Sequence, residues 1–159
     1  MSRIVGDRLP ADLFRRLSGA NASSNDEKAI VVCTVDAKGY PHPAILSYFE
    51  VIARDERNVR FAMYGNSSSV ANIRRSGNVT ILIIDHRLAL YVKGLARELN
   101  PQMSCSAQNS KLNLTVNQVL ADEADEEFEP GAYITSGITY KRSANRAVAE
   151  ELLRELLEG

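Results

Sequence analysis

Ala29-Ile-Val-Val-Cys-Thr-Val35 is followed by Asp36-Ala-Lys-Gly39 and then by Tyr40-Pro-His-Pro-Ala-Ile-Leu-Ser-Tyr-Phe-Glu-Val-Ile-Ala53. The first run is apolar and rich in β-branched residues, which suits a strand buried on both faces. The glycine-containing tetrapeptide turns the chain, and Tyr40–Ala53 reads as a second strand, so the pair predicts a hairpin. Working outward, Arg54–Asn58 is a charged turn and Val59–Tyr64 a third strand. Gly65-Asn-Ser-Ser-Ser69 breaks the strand pattern; Val70, Ala71, Ile73 and Arg74-Arg75 follow at helical spacing as far as Gly77. Asn78–Ile84 and Leu88–Leu99 are two further strands across the turn Asp85-His86-Arg87, and Ala132–Tyr140 alternates like a sixth.

The flanks read as helices and loops. Leu9, Leu13, Phe14 and Leu17 share a helical face over 9–17, and Ser18–Asp26 is a polar loop. Leu112–Ala124 reads as a helix. Ser143–Leu157, within a C-terminal segment 143–158, is amphipathic, with Val148, Leu152 and Leu156 beside Ala149, Leu153 and Leu157. Six strands, largely hairpin-linked with short helices inserted, predict a mainly β (α+β) fold. The expected form is a six-stranded antiparallel sheet curled into a small barrel, one domain over 1–159 with its core at 28–99 plus 132–141.

Composition excludes several function classes. At 159 residues, 45% hydrophobic and 25% charged, the chain has ordinary globular proportions. Nineteen Lys and Arg face twenty Asp and Glu, so no global basic field draws nucleic acid. The charge is uneven: residues 1–121 carry fifteen bases and ten acids, residues 122–159 four bases and ten acids. Asp122–Glu129 alone holds six acids in eight residues, and reads as a solvated face. The longest purely apolar runs, Ala29–Cys33 and Leu88–Val92, are far too short to span a membrane. The N-terminus shows no signal-peptide core, and two cysteines make no disulfide framework, so a reduced cytoplasm is expected. Two histidines exclude a three-histidine zinc site, and no metal is expected. No nucleophile-elbow pattern is present and no catalytic side chain declares itself, which points to chemistry borrowed from a cofactor.

Ser67–Ser69 is the segment best suited to an anion. A helix start exposes unpaired N–H groups and a partial positive charge, the three hydroxyls and Asn66 add neutral donors, and Gly65 permits close approach. The competing reading is that one serine caps the helix and the others face water. Tyr91, Tyr133 and Tyr140 suit packing, and Lys141-Arg142 reads as a solvated pair.

Thr34-Val-Asp36, Gly39-Tyr-Pro41, Asn72-Ile-Arg-Arg75 with Val79 after it, and Val92-Lys-Gly94-Leu-Ala stand in an order that resembles one family. It is similar to the FMN-binding split-barrel proteins of the pyridoxamine 5′-phosphate oxidase superfamily. The resemblance implies a homodimer with one FMN in each of two interface grooves. It assigns cofactor contacts to Ala44, Ile45, Leu46 and Ser47 beside the ring, to Met63 and Tyr64, and to Ser67, Ser68, Ser69 and Asn72 at the helix start. Positions charged in the oxidases are neutral here: Ala44 stands for Arg, Phe49 for the phosphate-reaching Lys, and Ser68-Ser69 for Arg-Lys. The ring-facing Gln falls near Ala89. The Arg-containing motif that grips pyridoxal phosphate has no match after Tyr140, so vitamin B6 oxidase activity is not expected. The resemblance thus implies an FMN-dependent oxidoreductase acting on an unknown small molecule, its flavin held weakly or at partial occupancy. The alternatives are a barrel that has lost flavin and serves as a binding or interaction module, or one whose groove takes haem or a deazaflavin.

Overall fold

The computed structural model describes residues 1–143 and 145–159. Its elements in chain order are β1 (Ser2–Gly6), α1 (Ala11–Arg16), β2 (Ala29–Val35), β3 (Pro41–Ser47), β4 (Val51–Ala53) and β5 (Asn58–Tyr64), then α2 (Ser68–Ser76), β6 (Asn78–Asp85), β7 (Leu88–Asn100), β8 (Asn109–Asp122) and α3 (Arg146–Leu157). The strands pair antiparallel in the order β3-β2-β6-β7-β8-β5-β4. β8 is long enough to serve two partners along one edge: Asn109–Thr115 pairs with β5 and Val119–Asp122 with β1. The sheet curls into a half-barrel. Ile30, Val32, Ile81, Ile83, Val92, Leu112 and Leu114 fill its inside, with Leu13 of α1 and Val70 and Ile73 of α2 buried in the same cluster.

The mainly β antiparallel expectation holds, but the described residues form eight strands rather than six. Tyr40–Ala53 is not one strand. It breaks at Ser47–Glu50, where Glu50 N–H donates to the Ser47 carbonyl (3.1 Å) and Ser47 N–H to Glu50 Oε2 (2.7 Å). Residues 112–122, expected as helix, belong to β8. Leu112, Leu114 and Val116 point inward with period two, then pairing slips between Lys93 and Gly94, so that Val119 and Ala121 continue the inward row. That one-residue bulge sets Leu112, Val116 and Val119 at helix-like intervals. The late strand at 132–141 is an irregular strap. Its only ladder contact among the described residues is a bridge between Lys28 and Thr139, supported by bonds from Arg87 N–H to Ile134 O (2.8 Å), Ala29 N–H to Ile138 O (2.9 Å) and Tyr140 N–H to Glu27 O (3.0 Å). β1 was not expected; it is short and mostly exposed, with no apolar alternation to mark it. The last helix starts at Arg146 rather than Ser143, and Ala144 lies outside the described residues.

Two polar clusters fasten the periphery. Asp85, at the end of β6 and only 8% exposed, takes Lys28 Nζ at 2.6 Å, Arg16 Nη2, and the His86 N–H at 2.8 Å. Burial pushes its carboxyl up, but the bonds from Lys28, His86 N–H and Arg16 win and hold it at about 2. Arg142 is no solvated charge. It is 14% exposed, pairs with Asp26, and lies 4.7 Å over the buried Phe49 ring. Cation–π stacking plus a carboxylate partner offsets its desolvation.

Candidate functional site

β3 is one end of the sheet path, so its outer edge is unpaired. Asp36 N–H bonds to Tyr40 O within the β2–β3 hairpin, and Ala29 N–H turns away from β3 to Ile138. Alternation therefore points the backbone groups of His42, Ala44 and Leu46 at β2, and those of Pro41, Pro43, Ile45 and Ser47 at the open edge. The prolines have no N–H, and Glu50 takes that of Ser47 at 2.7 Å. Among the described residues Ile45 thus carries the one uncommitted donor on this edge. Its side chain, 60% exposed, stands on the outer face of the sheet, whereas Ala44 packs against the core and Leu46 and Ser47 are buried.

At the end of β5 the chain passes from buried Met63 to Tyr64, which is 62% exposed, and then through Gly65 and Asn66 into α2. Gly65 sits tightly packed: a Cβ there would lie 2.9 Å from Ser110 Oγ, which would have to shift. Ser67 is the helix cap, its Oγ accepting the Val70 N–H at 3.2 Å, and Gly77 in the left-handed region ends the helix. The three serines have separate roles. Ser68 is exposed, Ser69 is 2% exposed, and the N–H groups of both, in the first turn, have no partner among the described residues.

Asn72 is buried and spoken for. Its Nδ2 donates to Thr34 Oγ1 (3.0 Å) and its Oδ1 accepts from Arg75 (3.3 Å). Arg75 also reaches the Val35 carbonyl, and Arg74 grips Glu98 through two bonds of 2.9 and 2.6 Å. Asn72 thus ties α2 to β2. Arg74 also lines a cleft of about 870 Å3, together with Tyr64, Gly65, Asn66 and the β7–β8 loop residues Pro101, Gln102, Ala107 and Gln108. That loop is anchored by buried Met103 and by Glu155, whose carboxylate accepts the Ser104 and Cys105 N–H groups at 2.7 and 2.8 Å. Only contacts far apart in sequence determine that arrangement.

A phosphate at the start of α2 would meet two free N–H groups and the exposed Ser68 hydroxyl, while Arg74 of the adjoining cleft is committed to Glu98. The groups fit an anion, and they fit it through neutral donors. Burial and then the Glu155 carboxylate push the Cys105 thiol up to about 11, away from its thiolate form. Among the described residues no three His, Cys, Asp or Glu converge to hold a metal, and no helix is long and apolar enough to cross a membrane.

Residues 20–132 match the family model described as pyridoxamine 5′-phosphate oxidase. The curated protein YclD of Bacillus subtilis strain 168, itself uncharacterised, is 29% identical over 126 residues, covering 79% of each chain. A candidate pyridoxamine 5′-phosphate oxidase of Lactobacillus delbrueckii, solved as a crystal structure, superposes with a TM-score of 0.59 at 17% identity, covering 75% of this chain and 98% of its own. An F420 reductase structure does so at 0.50 and 16% identity, covering 58% and 89%. The chain belongs to the pyridoxamine 5′-phosphate oxidase family.

Proposed function

We propose that this chain binds FMN between the open edge of β3 and the start of α2, and acts as a homodimeric oxidoreductase on a small molecule. The observation that carries this reading is the first turn of α2, where the Ser68 and Ser69 N–H groups are uncommitted and Ser68 is exposed. The two N–H groups and the Ser68 hydroxyl would hold the phosphate, and the Ile45 N–H would offer a donor to the acceptor edge of the ring. When bound, the flavin supplies hydride transfer. The chain's own part is to bind, orient and shield it. Because the anion is held by neutral donors alone, binding is weaker than in a site with lysine or arginine.

The outer face of the sheet supports self-association. Ile45 and Leu95 are both more than half exposed there, beside a groove of about 710 Å3 lined by Cys33, Leu82, Tyr91 and Lys93. Ile45→Glu with Leu95→Glu is expected to shift the sedimentation of the protein from dimer to monomer. A wild-type monomer would remove the dimer.

Titration of FMN, followed by fluorescence quenching, is expected to saturate. Ser68→Asp places a carboxylate against the phosphate and should weaken binding by about 10-fold or more, with little change in melting temperature. Ser67→Ala should instead cost about 1 kcal/mol of stability through loss of the cap. Unchanged FMN affinity in Ser68→Asp sinks the assignment of the helix start. No saturation in the wild type favours the interaction-module reading, for which the locked Arg74 and Arg75 and the buried Phe49 speak.

A further inference from the structure

A separate cavity of about 460 Å3 opens at the other end of β8. β8 begins at Asn109, paired with Tyr64, and reaches Ala121 on the wall of this cavity, about 40 Å further along at strand rise. The cavity's apolar lining includes Leu13, Leu88 and Leu90, with Val5 and Pro10. The rim carries three arginines and a histidine against two carboxylates, Asp12 and Glu123.

The charges on that rim are not equivalent. Arg3 is held by Glu123, and Arg16 by Asp85 and the Tyr48 hydroxyl. Arg87 has no carboxylate within 4 Å among the described residues; its guanidinium lies 3.8 Å over the Tyr133 ring. Its backbone is also unusual. At φ 53 it is the one described non-glycine residue in the left-handed region, where glycine or asparagine would turn the β6–β7 hairpin with less strain. The Ile134 carbonyl accepts its N–H at 2.8 Å, so the strap fixes the turn and Tyr133 fixes the side chain. Beside it, His86 Nδ1 lies 3.2 Å from the Thr135 carbonyl, which leaves Nε2 unused.

We propose that this cavity binds a small organic anion, its apolar body on Leu13, Leu88 and Leu90 and its carboxylate on Arg87, with His86 beside it. A guanidinium pre-oriented on Tyr133 at the edge of an apolar-lined cavity selects for this chemistry: the apolar lining rewards an apolar body, and the fork-shaped donor rewards a planar carboxylate.

Benzoate is the probe, followed by isothermal titration calorimetry on the flavin-free protein, so that the result stands apart from the cofactor assignment. Saturable binding is expected, with benzamide, its neutral counterpart, about 10-fold weaker or worse. Arg87→Gln should bring benzoate down to the benzamide level. Arg87→Gly should do the same while relieving the backbone, with a melting temperature no lower than wild type, which separates a lost contact from a lost fold. Absence of saturable benzoate binding, equal affinity for benzoate and benzamide, or undiminished benzoate binding in Arg87→Gly would each overturn the proposal.

Discussion

Replacing Gly94 by alanine is expected to destabilise the protein by about 3–5 kcal/mol, a large fraction of the roughly 5–15 kcal/mol that holds a domain folded. A Cβ at this position would lie 2.0 Å from the Thr115 carbonyl oxygen and 2.9 Å from its carbon. Both are backbone atoms, so no rotamer change can relieve the clash. β7 and β8 would have to part where their register slips between Lys93 and Gly94. This seam is hard to relax, because the two strands contribute thirteen and fourteen residues and Leu112, Leu114 and Val92 pack beneath them. Gly39→Ala is the matched control. Gly39 has φ +87 with nothing within 4 Å of an added Cβ, so only backbone strain of about 1 kcal/mol is expected. Urea unfolding of the two variants measures the difference; equal midpoints would mean that the bulge adapts.

The same bulge explains how far the fold could be read from sequence. Ala29–Val35, Val59–Tyr64, Asn78–Ile84 and Leu88–Leu99 were legible because β-branched residues and turn signals act locally, and each begins and ends within a residue of its observed strand. β8 was not legible, because one extra residue opposite Lys93 and Gly94 converts an alternating row into an apparent helical one. The turn at Ser47–Glu50 was hidden by Tyr48 and Phe49, which are buried like strand residues although the chain reverses there.

The candidate site divides along similar lines. A capping serine at the start of α2 follows from spacing alone, and Ser67 does cap it. The fates of the neighbouring side chains depend on long-range partners. Asn72 is consumed by Thr34, thirty-eight residues away, and Arg74 by Glu98, twenty-four away. Phe49 is covered by Arg142, which reaches it from beyond the strap. Local sequence offers no signal for any of these pairings, because each is set by how the sheet curls.

Asp85→Asn is expected to lower the melting temperature by about 5–10 °C, the equivalent of about 2–4 kcal/mol in a chain of this size. The substitution preserves shape while leaving Arg16 and Lys28 facing each other without the carboxylate that both contact. A pH signature accompanies this loss. Asp85 is held at about 2 in the folded protein, below the ordinary carboxylate value of 3.8. A depressed carboxyl favours the folded state fully above its unfolded value, and that contribution disappears as pH falls through the folded one. About 2 kcal/mol of wild-type stability should therefore be lost between roughly pH 4 and pH 2, beyond the general effect of acid on the remaining carboxylates. Urea midpoints measured across this range should fall more steeply in the wild type than in Asp85→Asn, and the two curves should converge near pH 2. Parallel curves would show that the cluster around Asp85 adds no net stability. In that case the attraction of Arg16 and Lys28 for the carboxylate would merely balance the cost of taking all three out of water.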